Sequence, residues 1–326
     1  IRAVNVERGI FGIIRAVTQK DDPVIWDVLH SSHPAIFSNV LVTEDAMPRW
    51  LDDDCSIPEG GINHSGDWFR GKVDRNGEEI PFAHKNARYT IGLDGLSNLD
   101  DALDDARGVE VGGIIYGGRD RNTWVPVHES LDWAHGVILM GASLESETTA
   151  ATLGPSGVRK FQPFSNLDFI SIPLGKYIQN HLDFAKALES PPTIFAVNYF
   201  QQDNDGNFLT DKLDKTVWLK WMELRVHNEV EALLTPIGYI PKYGDLKNLF
   251  FRNLDKDYSI DEYNNQFTIR IPELLSKADR VETFYKENID DTPEIFFKFV
   301  KEQRGRLQDA QAEMGDCIVP TAFENS

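Results

Sequence analysis

Two uninterrupted apolar runs, VEVGGIIY at 109–116 and HGVILMGAS at 135–143, constrain the fold of this 326-residue chain most. Apolar runs without alternation predict strands buried on both faces. A third strand, PPTIFAVNYF, follows a proline stop at 191–192. Helices are predicted where the period changes. KYIQNHLDFAKAL places Ile178, Leu182 and Ala185 on one face, and KTVWLKWMELRVHNEVEAL places Val217, Trp221, Leu224 and Asn228 along one stripe.

The flanking regions read differently. Residues 1–45 give short strands (IRAVNV, GIFGII, AIFSNVLV) and a short helix in DDPVIWDVLH, with Pro23 near its start. Residues 50–108 are rich in Gly, Asp and Asn and read as an irregular elaboration, with an Asn-Gly hairpin signal in GKVDRNGEEI. Residues 255–326 read as a mainly helical closing segment, its last helix started by an Asp or Thr cap beside Pro293. The expected class is mixed α+β: mostly buried mixed sheets with flanking helices, without regular βαβ alternation.

A formal charge of −19 argues against wrapping a nucleic-acid backbone, which needs clustered Lys and Arg. It leaves room for a small anionic substrate, because a local arginine cluster overrides the global field. No apolar stretch has the length of a membrane span. The two cysteines, Cys55 and Cys317, match no metal-ligand spacing and fit a reducing, cytoplasmic setting. The chain opens directly in IRAVNVERGIFGII, within a strand pattern, and is expected to be the downstream part of a longer polypeptide.

Most catalytic templates fail. There is no Walker A loop, no G-x-G-x-x-G, no H-E-x-x-H and no G-x-S-x-G. His30 and His33 are close but lack a third ligand, and no metal ligand is assigned in this chain. Three stretches remain. In YGGRDRNT (116–123), Gly117 and Gly118 offer a bare backbone and Arg119 a planar fork suited to phosphate or carboxylate. Arg119 serves either an anionic ligand or the chain's own acids, such as Asp120. In AHKNARYT (83–90), Asn86 and Arg88 share one side of an extended chain. They either read a substrate together or lie on a solvated strand. In VNYFQQDNDGNFLTDKLDKT, Tyr199, Phe200 and Phe208 frame a turn, as hairpin core or as a platform for a base.

Taken together, GIIYGGRD, HGVILMGASLESETTAA, IPLGKYIQNHL, IFAVNYF, DGNFL and TPIGYIPK resemble, in order and spacing, GTP-dependent phosphoenolpyruvate carboxykinase of the archaeal kind. The resemblance runs from residue 1 to about 315 and is strongest over 109–242. It implies a single domain over 1–326, namely a C-terminal nucleotide-binding domain lacking its upstream lysine loop. It also implies a mobile lid at 144–158, in LESETTAATLGPSG and the residue after it. The implied reaction, used in gluconeogenesis, is reversible: oxaloacetate and GTP give phosphoenolpyruvate, GDP and CO₂. By the same resemblance Asn86 and Ala87 bind the substrate, Arg88 bridges substrate and γ-phosphate, and Arg119 neutralises nucleotide phosphates. Phe200, Phe208, Leu213, Asp214, Lys215 and Thr216 surround the base.

Mn²⁺ or Mg²⁺ is the implied cofactor, its ligands lying upstream, and a monomer with small-molecule substrates is the implied state. The isolated chain is expected to be inactive. The chain departs from the family pattern in five places, one of them GIFGIIRAV at 9–17, where the family has GFFGVAPGT. Asp120 stands where an arginine is common, Glu145 where a lid arginine is usual, Leu213 where an aromatic is usual, and Thr216 where asparagine is expected. These departures leave guanine against adenine open. A non-catalytic nucleotide- or carboxylate-binding module, and a structural domain with internal arginine pairs, are the competing readings.

Overall fold

The computed structural model describes residues 1–149 and 155–324. Two compact units are present, one built on residues 2–110 and the other on residues 111–148 and 157–324.

The first unit is made of short strands. β1 (Arg2–Ala3) pairs antiparallel with β9 (Val109–Glu110), bringing the ends of the unit together. β2 (Gly9–Ile13) and β3 (Ala35–Ser38) flank β8 (Arg88–Gly92) in an antiparallel sheet, with α1 (Pro23–Leu29) between β2 and β3 in sequence. Pro23 sits at the first helical position, where its missing N–H costs nothing. Trp50 is fully buried here against Val17, Val28 and Ile14, its indole N–H donating to the Val17 carbonyl. The Gly-rich stretch forms a second sheet from β4 (Leu41–Val42), β5 (Pro48–Arg49), β6 (Gly60–Asn63) and β7 (Gly66–Phe69). The Asn76-Gly77 turn forms as the sequence predicts. Gly77 takes φ +84°, and Val73 bridges Glu79 across it.

The second unit holds a five-stranded mixed sheet in the order β10 (Gly113–Gly117), β14 (Thr193–Val197), β11 (Val127–Glu129), β16 (Gly238–Pro241), β15 (Ala232–Thr235). Only β10 and β14 run parallel. β14 is the buried central strand, with Ile194 through Val197 all buried. β10 differs from expectation. As an edge strand it leaves Ile115 exposed, so its apolar run is covered on one face only.

The second apolar run is not a strand. Trp133–His135 (α2) continues as a π-helix over Gly136–Ala142. Gly136 lies against Ile194, and Gly141 against Phe164 and Tyr116, so both small residues let the helix sit directly on its neighbours. A helix buried nearly all round has no amphipathic period, and the run therefore reads as a strand.

The start of 144–157, whose small residues also allow a helix, is instead β12 (Glu145–Glu147), paired with β13 (Arg159–Phe161). Residues 150–154 of the expected lid lie outside the described residues. α3 (Leu174–Lys186) and α4 (Asp214–Val226) form where predicted. Val217, Trp218, Trp221 and Met222 make the buried stripe of α4, and the helix stops before Asn228, which turns left-handed at φ 57°. Trp218 packs edge-on against Phe250 and Phe267. The C-terminal part contains α5 (Tyr243–Leu254), α6 (Ile260–Phe267), β17 (Ile269–Arg270), α7 (Ile271–Asn288), α8 (Glu294–Met314) and β18 (Cys317–Ile318). Ser259 and Glu262 form a reciprocal capping box on α6. α8 is entered through Pro293 with no side-chain cap, in place of the expected Asp or Thr cap.

Candidate functional site

Arg119 leaves the end of β10 in a turn that the chain braces from several sides. Gly117 and Gly118 are bare because main chain and side chains pack there. A Cβ on Gly118 would lie 2.5 Å from the Glu145 carbonyl, and one on Gly117 3.0 Å from Val197. Gly118 thus admits β12 and Gly117 the side chain of Val197 on β14, so the Cβ directions of both glycines are filled by the chain itself. The Arg119 N–H donates to Ser146 Oγ (3.2 Å), its Nε donates to the Glu147 carbonyl (2.5 Å), and its own carbonyl accepts from the Glu147 N–H.

No carboxylate pairs with Arg119 among the described residues. The acids near it are already engaged. Asp120 is 1% exposed and folds back on its own turn, accepting from the Asn122 and Thr123 N–H groups and the Thr123 hydroxyl. Arg159 reaches it at 3.2 Å. Burial alone would raise the Asp120 pKa, but Lys277, Thr123 and Arg159 outweigh it and hold the carboxyl below its ordinary value.

Glu145 is 2% exposed and accepts a two-point fork from Arg280 at 2.9 and 2.8 Å, while Glu147 accepts the same kind of fork from Arg121 at 2.8 and 3.0 Å. Arg121 also donates to the Gly157 carbonyl. Asn122 donates to Glu273 and accepts from Arg159. The second arginine of the turn is therefore structural, and Arg119 keeps its outer guanidinium nitrogens. Sequence reasoning missed Arg159, Arg280 and Lys277, which lie 39 to 160 positions from Asp120 and carry no local pattern.

The other expected residues fall in two groups. In the first unit, Arg88 Nε donates to Asn86 Oδ1 at 2.7 Å, so these two side chains do meet, although Asn86 stands in the turn before β8 and not on an extended strand. The guanidinium lies over the Phe11 ring at 5.1 Å, and Ala87 between them is buried, its carbonyl accepting from Ile14. In the second unit, Phe200 and Phe208 sit 6.3 Å apart, nearly perpendicular, and are 41% and 59% exposed. They are not hairpin core. Their faces are free to stack on a planar group.

Leu213 caps α4, and Lys215 and Thr216 face solvent on its first turn. Asp214 points inward, accepting from the Asp211 N–H and from Lys256. Burial raises its pKa, with Lys256 opposing.

Histidines enter as buried neutral rings. His128 and His135 lie deep in the second unit, and burial lowers them to about 3 and about 4, helped at His128 by the charges of His135 and Lys277 and at His135 by that of Arg306. An unfolded ring binds a proton near pH 6.5. Between about pH 6.5 and 4 protons therefore favour the unfolded chain, at roughly 1.4 kcal/mol per pH unit for each ring. Stability is expected to be intact above that window and to fall through it. Denaturant unfolding from pH 7 to 4.5 should show this slope, and His128→Phe should flatten it. An unchanged slope would remove the ring from the account. Among the described residues, no group of three or more His, Cys, Asp or Glu could hold a metal ion, and no helix is long and apolar enough to cross a membrane.

The family model described as the phosphoenolpyruvate carboxykinase C-terminal P-loop domain matches residues 1–306. A protein of Pyrococcus horikoshii named phosphoenolpyruvate carboxykinase [GTP] is 60% identical over 324 residues, covering 99% of this chain and 52% of the relative. Proteins of the same name from Thermococcus sibiricus and Saccharolobus solfataricus are 56% and 44% identical over 323 residues each, again covering 99% of the chain and 52% of the relative. The chain spans about half the length of the curated relatives it matches.

Proposed function

The chain belongs to the phosphoenolpyruvate carboxykinase family, and from that premise we propose that it supplies nucleotide- and substrate-binding residues of a GTP-dependent carboxykinase. The match over residues 1–306 carries this reading. The proposed reaction removes CO₂ from oxaloacetate and passes the γ-phosphoryl of GTP to the resulting enolate oxygen, giving phosphoenolpyruvate and GDP. Such a step needs phosphate charge neutralised and the enolate kept from water, which would protonate it to pyruvate.

Arg119, braced at its Nε and open at its fork, would neutralise nucleotide phosphate. Asn86, aligned with Arg88 by their hydrogen bond, would hold a substrate carboxylate beside Ala87, and Arg88 would meet the γ-phosphate. Phe208, with Phe200 edge-on beside it, would offer an aromatic surface to the guanine. Leu213, Lys215 and Thr216 would form the far wall, and Asp214, anchored by Lys256, would fix the start of α4 beneath it. Of the expected lid at 144–158, the residues after β12 would close over the ligands, Glu145–Glu147 being fixed in that strand. Mn²⁺ or Mg²⁺ would supply further charge neutralisation, but the described residues do not fit a metal, so its ligands would come from elsewhere and no step here runs through it. A cytoplasmic monomer is the proposed state.

Phe208→Ala is expected to weaken GDP binding by roughly tenfold or more, since base–aromatic stacking contributes about 1–3 kcal/mol. Oxaloacetate binding should stay within about twofold. Titration of both ligands checks this, and equal losses would sink the stacking role. The deciding measurement for the function is the coding sequence immediately upstream of Ile1. An in-frame Gly-Lys-Thr loop followed by paired aspartates is expected, with the isolated chain inactive toward oxaloacetate and GTP. A start codon at Ile1 would overturn the reading and leave a non-catalytic binding module. Phosphoenolpyruvate formation by the isolated chain would overturn the residue assignments.

A further inference from the structure

Inside the second unit, between α7 and the π-helical segment, lies a cavity of about 50 Å³. Its polar lining comes from His128, His135, Ser143, Lys277 and Gln303, with Trp124 beside them, and no carboxylate lines it. A single water needs about 10–15 Å³ measured this way, so the space suits a few waters or one small ion.

The polar groups on this lining are nearly all donors. Lys277 is 5% exposed, and its ammonium has no hydrogen-bond acceptor. It rests 3.9 Å from the centre of the Trp124 ring, which satisfies one side only. The nearest acids do not accept from it. Glu145 gives both oxygens to Arg280, and Asp120 is occupied by Thr123, Asn122 and Arg159. The attraction of these two acids for Lys277 is opposed by Arg159 and Arg280. Burial lowers the ammonium to about 8, which still leaves it mostly charged at neutral pH.

The other lining groups are spent or are donors as well. Ser143 Oγ donates to the Ile138 carbonyl, and Gln303 donates to the Pro236 carbonyl while accepting from Arg306. His128 Nδ1 and both ring nitrogens of His135 have no hydrogen-bond partner, and a neutral ring carries one N–H to offer. A buried ammonium without an acceptor costs several kcal/mol, so the cavity demands a guest rich in lone pairs.

We propose that this cavity is a binding site for a small monovalent inorganic anion of halide size, held by the Lys277 ammonium and the ring N–H groups of His128 and His135. The site is separate from Arg119, Phe200 and Phe208, and does not depend on the function proposed above. Bromide is the probe. At constant ionic strength, replacing gluconate, which is too large for the cavity, by bromide should raise the Tm by about 2–4 °C. Lys277→Met, which keeps volume and removes the charge, should abolish the difference. Crystals of the unaltered protein grown in bromide should show an anomalous peak beside Lys277, so the test survives if the variant fails to fold. Equal Tm values in the two salts, or bromide peaks on the surface only with ordered water in the cavity, would overturn the proposal.

Discussion

On the proposed function, Arg119→Ala is expected to cut phosphoryl transfer by about 10³-fold, the scale at which one preorganised charge acts on a transferring phosphoryl group. The same change should leave the fold nearly untouched. Arg119 makes one side-chain hydrogen bond, to the Glu147 carbonyl, and pairs with no acid among the described residues. Its loss should therefore cost about 1 kcal/mol or less. The two readouts separate the competing roles. A ligand-facing arginine loses turnover and keeps its Tm, whereas a structural one loses both. Arg119→Lys sharpens the test, because lysine keeps the charge and loses the planar fork. Most of the deficit should persist in that variant. Unfolding of Arg119→Ala, or full activity, would return the residue to structure.

Why Arg119 is open while its neighbour Arg121 is closed could not be read from YGGRDRNT. Local chemistry offered two arginines and an acid, and either pairing was consistent with spacing. What decides it lies farther along the chain: Glu147 of β12 takes Arg121, while Arg159 of β13 and Arg280 of α7 engage Asp120 and Glu145. Long-range ion pairs leave no periodicity, so Arg159, Arg280 and Lys277 were invisible. Features with a local cause were legible: the Pro23 helix start, the Asn76-Gly77 turn and the apolar faces of α3 and α4. The Asn86–Arg88 contact forms, but from the turn that precedes β8 rather than from the period of two of a strand. The π-helix at Gly136–Ala142 failed for the converse reason. Burial all round removes the amphipathic signal, and Gly136 and Gly141 are there for close packing, a reason the sequence does not display.

The departure at position 145 has a physical cause that yields a second large effect. Glu145→Ala is expected to destabilise the protein by about 3–5 kcal/mol, the cost of leaving a buried charge uncompensated. Its buried carboxylate faces Arg280 in a two-point fork and has Arg159 at 3.9 Å, while the two arginine side chains are 33% and 22% exposed. Removing it leaves two guanidiniums and the Lys277 ammonium facing only Asp120 and Glu147. Arginine at this position would add a further cation, so Glu145→Arg should fail to fold. Denaturant unfolding of Glu145→Ala, Arg280→Ala and the double variant gives the decisive comparison. The double variant should be less destabilised than the sum of the singles by about 1–3 kcal/mol, because removing both partners leaves no orphaned charge between them. If the losses simply add, the fork contributes nothing specific. β12, with its Glu147 carbonyl on Arg119, must then be held by its backbone pairing to β13 alone.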